Sequence, residues 1–117
     1  MISSFSFSDN TVGYILSGVV NELTINRIIV QIEEKWERFD SINLYLEDDN
    51  VEDFTLGAIF KEIQFKLGNA KKFDKIAVVT NRKWIKACSA LENLFVSTEM
   101  RAFETEERIK ALSWVGH

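Results

Sequence analysis

Lys75-Ile76-Ala77-Val78-Val79-Thr80-Asn81-Arg82-Lys83-Trp84 constrains the fold more than any other stretch of this chain. Ile76 to Val79 is an unbroken apolar run of β-favouring residues, which predicts a strand covered on both faces in the interior of an α/β sheet. Thr80-Asn81 forms a turn pair that can also cap a helix, and helical residues begin at Arg82. A strand that runs straight into a helix requires a crossover connection and parallel pairing with its neighbour.

The N-terminal segment reads as a β-hairpin. Phe5 and Phe7 alternate with serines, Asp9-Asn10 supplies a two-residue turn, and Val12, Tyr14 and Leu16 alternate again. A tight turn pairs Ser8 with Thr11, Phe7 with Val12 and Phe5 with Tyr14, with the large residues on one face. Ser17 to Asn21 reads as a connection and Thr24 as the N-cap of a helix. Ile25, Ile28, Ile29, Ile32, Trp36 and Phe39 then form one helical stripe. Ser41 to Glu47 is a strand with Ile42, Leu44 and Leu46 on its apolar face and Asn43, Tyr45 and Glu47 on a half-wet one. Thr55 caps the next helix, whose buried stripe is Leu56, Ile59, Phe60, Ile63 and Leu67. Phe65 falls on its polar face and is a candidate surface contact, either with a later helix, a second copy of the chain or a membrane. Gly68-Asn69 stops that helix. The helix after the central strand buries Trp84, Ala87, Cys88, Leu91, Leu94 and Phe95. Val96 to Phe103 is an edge strand, and a last helix starts at Thr105 and ends near Trp114. The element order is β-β-α-β-α-β-α-β-α within a single domain, residues 1–117, built on a mixed sheet.

Function classes are narrowed mainly by what the residues lack. The formal net charge of −4 removes the overall basic footprint that nucleic acid rewards. Lys71-Lys72 and Arg82-Lys83 read as solvated helix ends. With nine Phe and three Trp there is core volume enough without a disulfide or metal, and the single Cys88 fits a reducing compartment. No apolar run reaches the length of a signal peptide or the roughly 20 residues of a membrane span. These features predict a soluble cytoplasmic protein. The acidic stretch from Glu47 to Asp53 lacks the alternation, central glycine and closing glutamate of a calcium loop, so it reads as a solvated turn. Cys88 lies inside an apolar stripe with no histidine near it in sequence, and His117 is terminal. No catalytic set and no cofactor are implied.

Three segments carry a resemblance to a known family. They are Phe54-Thr55-x-x-Ala58-x-Phe60 opening a helix, Lys75-Ile76-Ala77-Val78-Val79 followed by Lys83-Trp84, and Glu99-Met100-Arg101-Ala102-Phe103-Glu104 with Ala111 and Trp114 beyond. Gly18 followed by Leu23-Thr24 fits the same pattern at the entry to the first helix. Their order and spacing, over nearly the whole chain, resemble the SpoIIAA-like family of the STAS superfamily. The resemblance implies a non-enzymatic interaction module. Some STAS domains are phosphorylated where the second helix begins, in an Asp-Ser-Ser-Gly-Leu-Gly type motif. Here that place reads Asp53-Phe54-Thr55-Leu56-Gly57, without the double hydroxyl or the first glycine. The fold also resembles lipid-binding CRAL-TRIO domains, which implies a small apolar ligand or peripheral membrane contact.

Ligands of open parallel sheets sit beyond the carboxyl ends of the strands. That rim carries Glu47, Asp48, Asp49, Asn50, Asp53, Thr55, Thr80, Asn81 and Trp84. A phosphate on Thr55 would meet a helix N-terminus, opposed by Glu52 and Asp53. The expected partners are therefore a protein or a small apolar molecule. Membrane contact through Phe65, Lys61 and Lys66 and self-association are the alternatives.

Overall fold

The central strand is where the apolar run places it. The structure, a computed structural model, describes residues 2–93 and 98–116. Within them lie β1 (Ile2–Ser8), β2 (Thr11–Val20), α1 (Glu22–Trp36), β3 (Ile42–Phe54), α2 (Leu56–Gly68), β4 (Phe73–Val79), α3 (Lys83–Asn93), β5 (Glu99–Phe103) and α4 (Arg108–Val115). Short 3-10 turns at Ala70–Lys72 and Thr105–Glu107 precede β4 and α4. The strands form one sheet in the order β1-β2-β3-β4-β5, so β4 has a neighbour on each side. Only β1 and β2 are antiparallel; the remaining pairs are parallel. Ile76, Ala77, Val78 and Val79 are all buried.

Because β2 to β5 step across the sheet in one direction, right-handed crossovers leave every crossing helix on the same face. Val12, Tyr14 and Leu16 of β2 pack there with Ile25, Ile28 and Ile32 of α1, Ala58 of α2 and, at the margin, Ile85 of α3. The other face is covered by α4, where Ala111 and Val115 pack on Tyr45, Ala77, Val79 and Phe103. Asn43, Tyr45 and Glu47, expected on a half-wet face, are therefore buried.

The hairpin register differs from the pattern-based pairing. Ser8 does face Thr11, but the register shifts between Ser6 and Ser8, so Phe5 faces Gly13 and Ser4 faces Tyr14. A one-residue slip reverses every side chain. Phe5 thereby reaches the α4 face, edge-on to Tyr45 at 5.5 Å between ring centroids. Gly13 makes room for it: a Cβ there would lie 2.3 Å from the Phe5 ring.

Two strands run further than expected. β2 continues through the predicted connection to Val20, and β3 continues through the acidic stretch to Phe54, because the two pair with each other at Gly18↔Val51 and Val20↔Phe54. The register shifts on both sides of Gly18, which adopts φ 70, while Asn50 adopts φ 52. Glycine and asparagine are the residues that accept this left-handed backbone at least cost. Asp48 secures the irregularity by accepting the Val51 N–H at 3.0 Å. The cap of α1 is Asn21 rather than Thr24. Asn21 accepts the Thr24 N–H, and the Thr24 hydroxyl accepts the Asn21 N–H, a capping box.

Helix α2 is rotated from its apolar stripe. Leu56, Phe60 and Leu67 are exposed, whereas Ala58 and Lys66 are buried. Phe65, half-buried, packs within the chain, one of the alternatives expected for it, on Trp36 at 5.6 Å and Phe73 at 6.1 Å. At the N-terminal end of α2 the exposed Glu22 side chain lies over Gly57, where a Cβ would sit 2.0 Å from its carboxylate. Helix α3 shows a similar shift. Trp84 and Ala87 are exposed, and Ile85 and Ser89 turn inward. The expectations for Leu94, Phe95, Val96 and His117, and for the side chains of Cys88 and Leu91, lie outside the described residues.

Candidate ligand cavity

The rotation of α2 leaves space beneath it. With Ala58 facing the sheet instead of Leu56 or Phe60, the layer between sheet and helices is underfilled. A cavity of about 120 Å³ results. Its walls come from Leu16 and Val20 of β2, Ile28 and Ile32 of α1, and Leu46 of β3. Ile63 of α2 and Ile85 of α3 also belong to the apolar lining. The half-exposed Trp84 marks its outer end, edge-on to Phe54 at 5.5 Å.

The polar wall is built on the carboxyl ends of β3 and β4. Asp48 accepts the Thr80 hydroxyl at 2.8 Å and the Arg82 Nε–H at 2.6 Å. A second guanidinium nitrogen of Arg82 donates to the Val51 carbonyl, and the guanidinium stands 5.4 Å from the centre of the Phe54 ring. Thr80 also accepts the Arg82 N–H at 3.1 Å, so one hydroxyl ties the end of β4 to both partners. On α2, Lys66 is buried in an ion pair with Glu62, one helical turn away.

A second buried cluster lies on the opposite face. The Tyr45 hydroxyl donates to Glu47 at 2.5 Å, and Arg108 of α4 pairs with the same carboxylate. Burial, reinforced by the Glu47 bond, pushes the Tyr45 phenol well above its ordinary range. The Glu47 bond and charge likewise raise the Arg108 guanidinium. The cluster fastens α4 to the sheet.

A family model described as SpoIIAA-like matches residues 11–116. The chain belongs to the SpoIIAA-like family. Among solved structures, an uncharacterised protein from Shewanella loihica PV-4 with a SpoIIAA-like fold aligns at TM-score 0.76 and 16% identity. That alignment covers 98% of this chain and 92% of that one. At this identity the likeness concerns the fold. The comparison with curated proteins gave no match.

This SpoIIAA-like chain brings together only part of the expected rim. Asp48, Thr80 and Trp84 reach the cavity. The Glu47 side chain points to the other face. Asp49, Asn50 and Asp53 lie on the exposed outer part of β3. Asn81 leaves the rim altogether: it donates to the Thr105 hydroxyl at 2.8 Å and accepts the Thr105 N–H at 3.0 Å, anchoring the approach to α4. Thr55 is the N-cap of α2, its hydroxyl accepting the Ala58 N–H at 3.1 Å. Among the described residues no three His, Cys, Asp or Glu side chains converge as a metal site, and no helix is long and apolar enough to cross a membrane.

Sequence reasoning singled out neither Glu62, Lys66 and Ser89, which line the cavity, nor Arg82, which pairs with Asp48 at its edge. Arg82 looked like a solvated helix end. Its position directly after Thr80-Asn81, at the carboxyl end of the central strand, is the one available signal. Lys66 and Glu62 carried an i, i+4 spacing that fits a surface pair equally well.

Proposed function

We propose that this SpoIIAA-like chain is a non-enzymatic binding module that holds a small apolar molecule between its sheet and helices α1, α2 and α3. The observation that carries the reading is the cavity of about 120 Å³, walled by aliphatic side chains and bordered by a short polar rim. Ligand sites of this kind are concave, mostly apolar and supplied with a few placed polar groups. The rim supports binding over bond-making: Asp48 is engaged with Arg82 and Thr80, and Glu62 with Lys66, so each carboxylate is held in a pairing within the protein. Native mass spectrometry of freshly purified protein tests the reading. A co-purified mass that dissociates on activation, and that is absent from an Ala58→Leu variant, is the expected result. Ligand-free protein together with no thermal shift from any member of an apolar compound panel would count against it.

A second reading, peripheral contact with a membrane, draws on a different surface. Leu56, Phe60 and Leu67 share the outer face of α2 and are 74%, 70% and 46% exposed. Such a stripe can enter a bilayer interface, although the net charge of −4 gives no attraction to anionic lipid. Flotation with phosphatidylcholine vesicles that is lost in Phe60→Ser supports it; absence of flotation by the parent protein removes it.

A further inference from the structure

We infer that the cavity selects an uncharged molecule with an apolar body and one hydrogen-bonding oxygen, and that Ser89 is the residue that reads this oxygen. The inference rests on the cavity being a ligand site and adds the class of ligand. Size sets the first limit. An apolar cavity of about 150 Å³ holds one benzene molecule. The 120 Å³ here therefore suits a body of about five or six non-hydrogen atoms, no larger than a single ring.

Charge sets the second limit. The ionised side chains that line the cavity are Asp48, Glu62 and Lys66; the Glu47 carboxylate is turned to the α4 face, where Arg108 pairs with it. Asp48 has its counter-charge in Arg82, and Lys66 has Glu62. Each wall charge is thus matched within the protein. An entering carboxylate or ammonium would lose its hydration without gaining a vacant partner, or would have to break one of these pairs. Both routes are costly in a water-poor space.

Ser89 supplies the third limit. Its side chain lines the same cavity and the residue is only 4% exposed, yet among the described residues its hydroxyl makes no hydrogen bond. A buried hydroxyl without a partner is destabilising, and a serine inside a helix ordinarily bonds back to its own backbone or faces water. A carbonyl, ether or hydroxyl oxygen on the ligand satisfies this group without introducing charge.

The test uses four aromatic probes of similar size at pH 7: phenol, toluene, benzoate and benzylammonium. Binding to the full chain is followed by ¹H–¹⁵N chemical-shift titration. Phenol is expected to bind tightest, with toluene about fivefold weaker, the equivalent of one neutral hydrogen bond of about 1 kcal/mol. Benzoate and benzylammonium should be weaker than phenol by more than tenfold. In Ser89→Ala the advantage of phenol over toluene should vanish while toluene still binds. Ser89→Cys, which keeps a γ atom but offers only a weak donor, serves the same comparison should the alanine variant fold poorly. Equal affinity of phenol and toluene for the parent protein overturns the role of Ser89. Charged probes binding as tightly as phenol overturn the selection against charge but leave the cavity a ligand site. If neither toluene nor phenol shifts a cavity residue, the ligand reading itself fails.

Discussion

Removing Arg108 tests whether α4 is fastened through Glu47. The pair is asymmetric: the Glu47 side chain is 2% exposed and that of Arg108 is 51%. Exposed ion pairs contribute ~0.2–1 kcal/mol, and opening a fully buried pair costs ~3–5 kcal/mol. With one end dry and one wet, Arg108→Met should destabilise the fold by about 2 kcal/mol. Most of that is the penalty of leaving the Glu47 carboxylate unpaired beneath α4, since the Tyr45 hydroxyl at 2.5 Å remains as its hydrogen-bond donor. The cost should therefore depend on the charge of Glu47. In a Glu47→Gln background, where no bare charge is left behind, Arg108→Met should cost under about 0.5 kcal/mol, a coupling of ~1.5 kcal/mol. Urea titration followed by tryptophan fluorescence is a suitable readout, because Trp114 lies 5.9 Å from Phe103 in the same layer. If Arg108→Met costs the same in both backgrounds, the guanidinium is only a solvated helix residue and α4 is held by its other contacts, Ala111, Trp114 and Val115 among them.

Three further outcomes follow from the packing. Phe65→Ala, which opens the ring cluster with Trp36 and Phe73, should cost ~3 kcal/mol in the same urea assay, while Phe60→Ser on the exposed face should stay within about 0.5 kcal/mol. A reversed order would return α2 to the phase of its apolar stripe. Thr55→Ala should lower stability by about 1 kcal/mol through loss of the cap to Ala58, and Thr55→Ser should restore most of it. Alkaline stability should fall as the tyrosines titrate. Burial and then the Glu34 charge push the Tyr14 phenol up to about 12, and Tyr45 is raised as well. Both are buried as neutral phenols. Their stabilising contribution is complete below the unfolded value of about 10 and is lost as pH rises through the folded values, with a slope of up to about 1.4 kcal/mol per pH unit for each tyrosine. Tyr14→Phe should remove about half of that slope.

The reach of sequence reasoning here follows the range of the interactions that decide each element. Ile76–Val79 could be read directly, because a continuous apolar run demands cover on both faces whatever supplies it. The order of elements and the family likeness followed from similar local signals. The phase of α2 could not be read, because its stripe and its actual inner face are both apolar enough. What selects between them is distant in sequence: Trp36 and Phe73 receive the Phe65 ring. The hairpin register failed for a related reason. Alternation implied that all large residues share a face, whereas Tyr45, on a strand two places from β1, offers Phe5 a partner on the other one. The acidic stretch has the composition of a solvated loop, and Asp49, Glu52 and Asp53 are exposed, but pairing with β2 makes it a strand and a distant cation draws Asp48 inward. Arg82 stands 34 residues from Asp48 in the chain and 2.6 Å from it in space.

These misreadings have a common consequence for the candidate site. A helix that buried Leu56 and Phe60 would fill the space beneath it and leave little cavity. A helix that spends those residues on its outer face, and turns Ala58 inward, leaves one. The cavity is therefore a product of the rotation of α2, and substitutions that alter the rotation should alter the cavity even from outside it. Trp36 is the place to look. Trp36→Ala would take away one of the rings on which Phe65 rests and free α2 to turn. The cavity reading then requires toluene or phenol affinity to change in that variant, although Trp36 does not line the cavity.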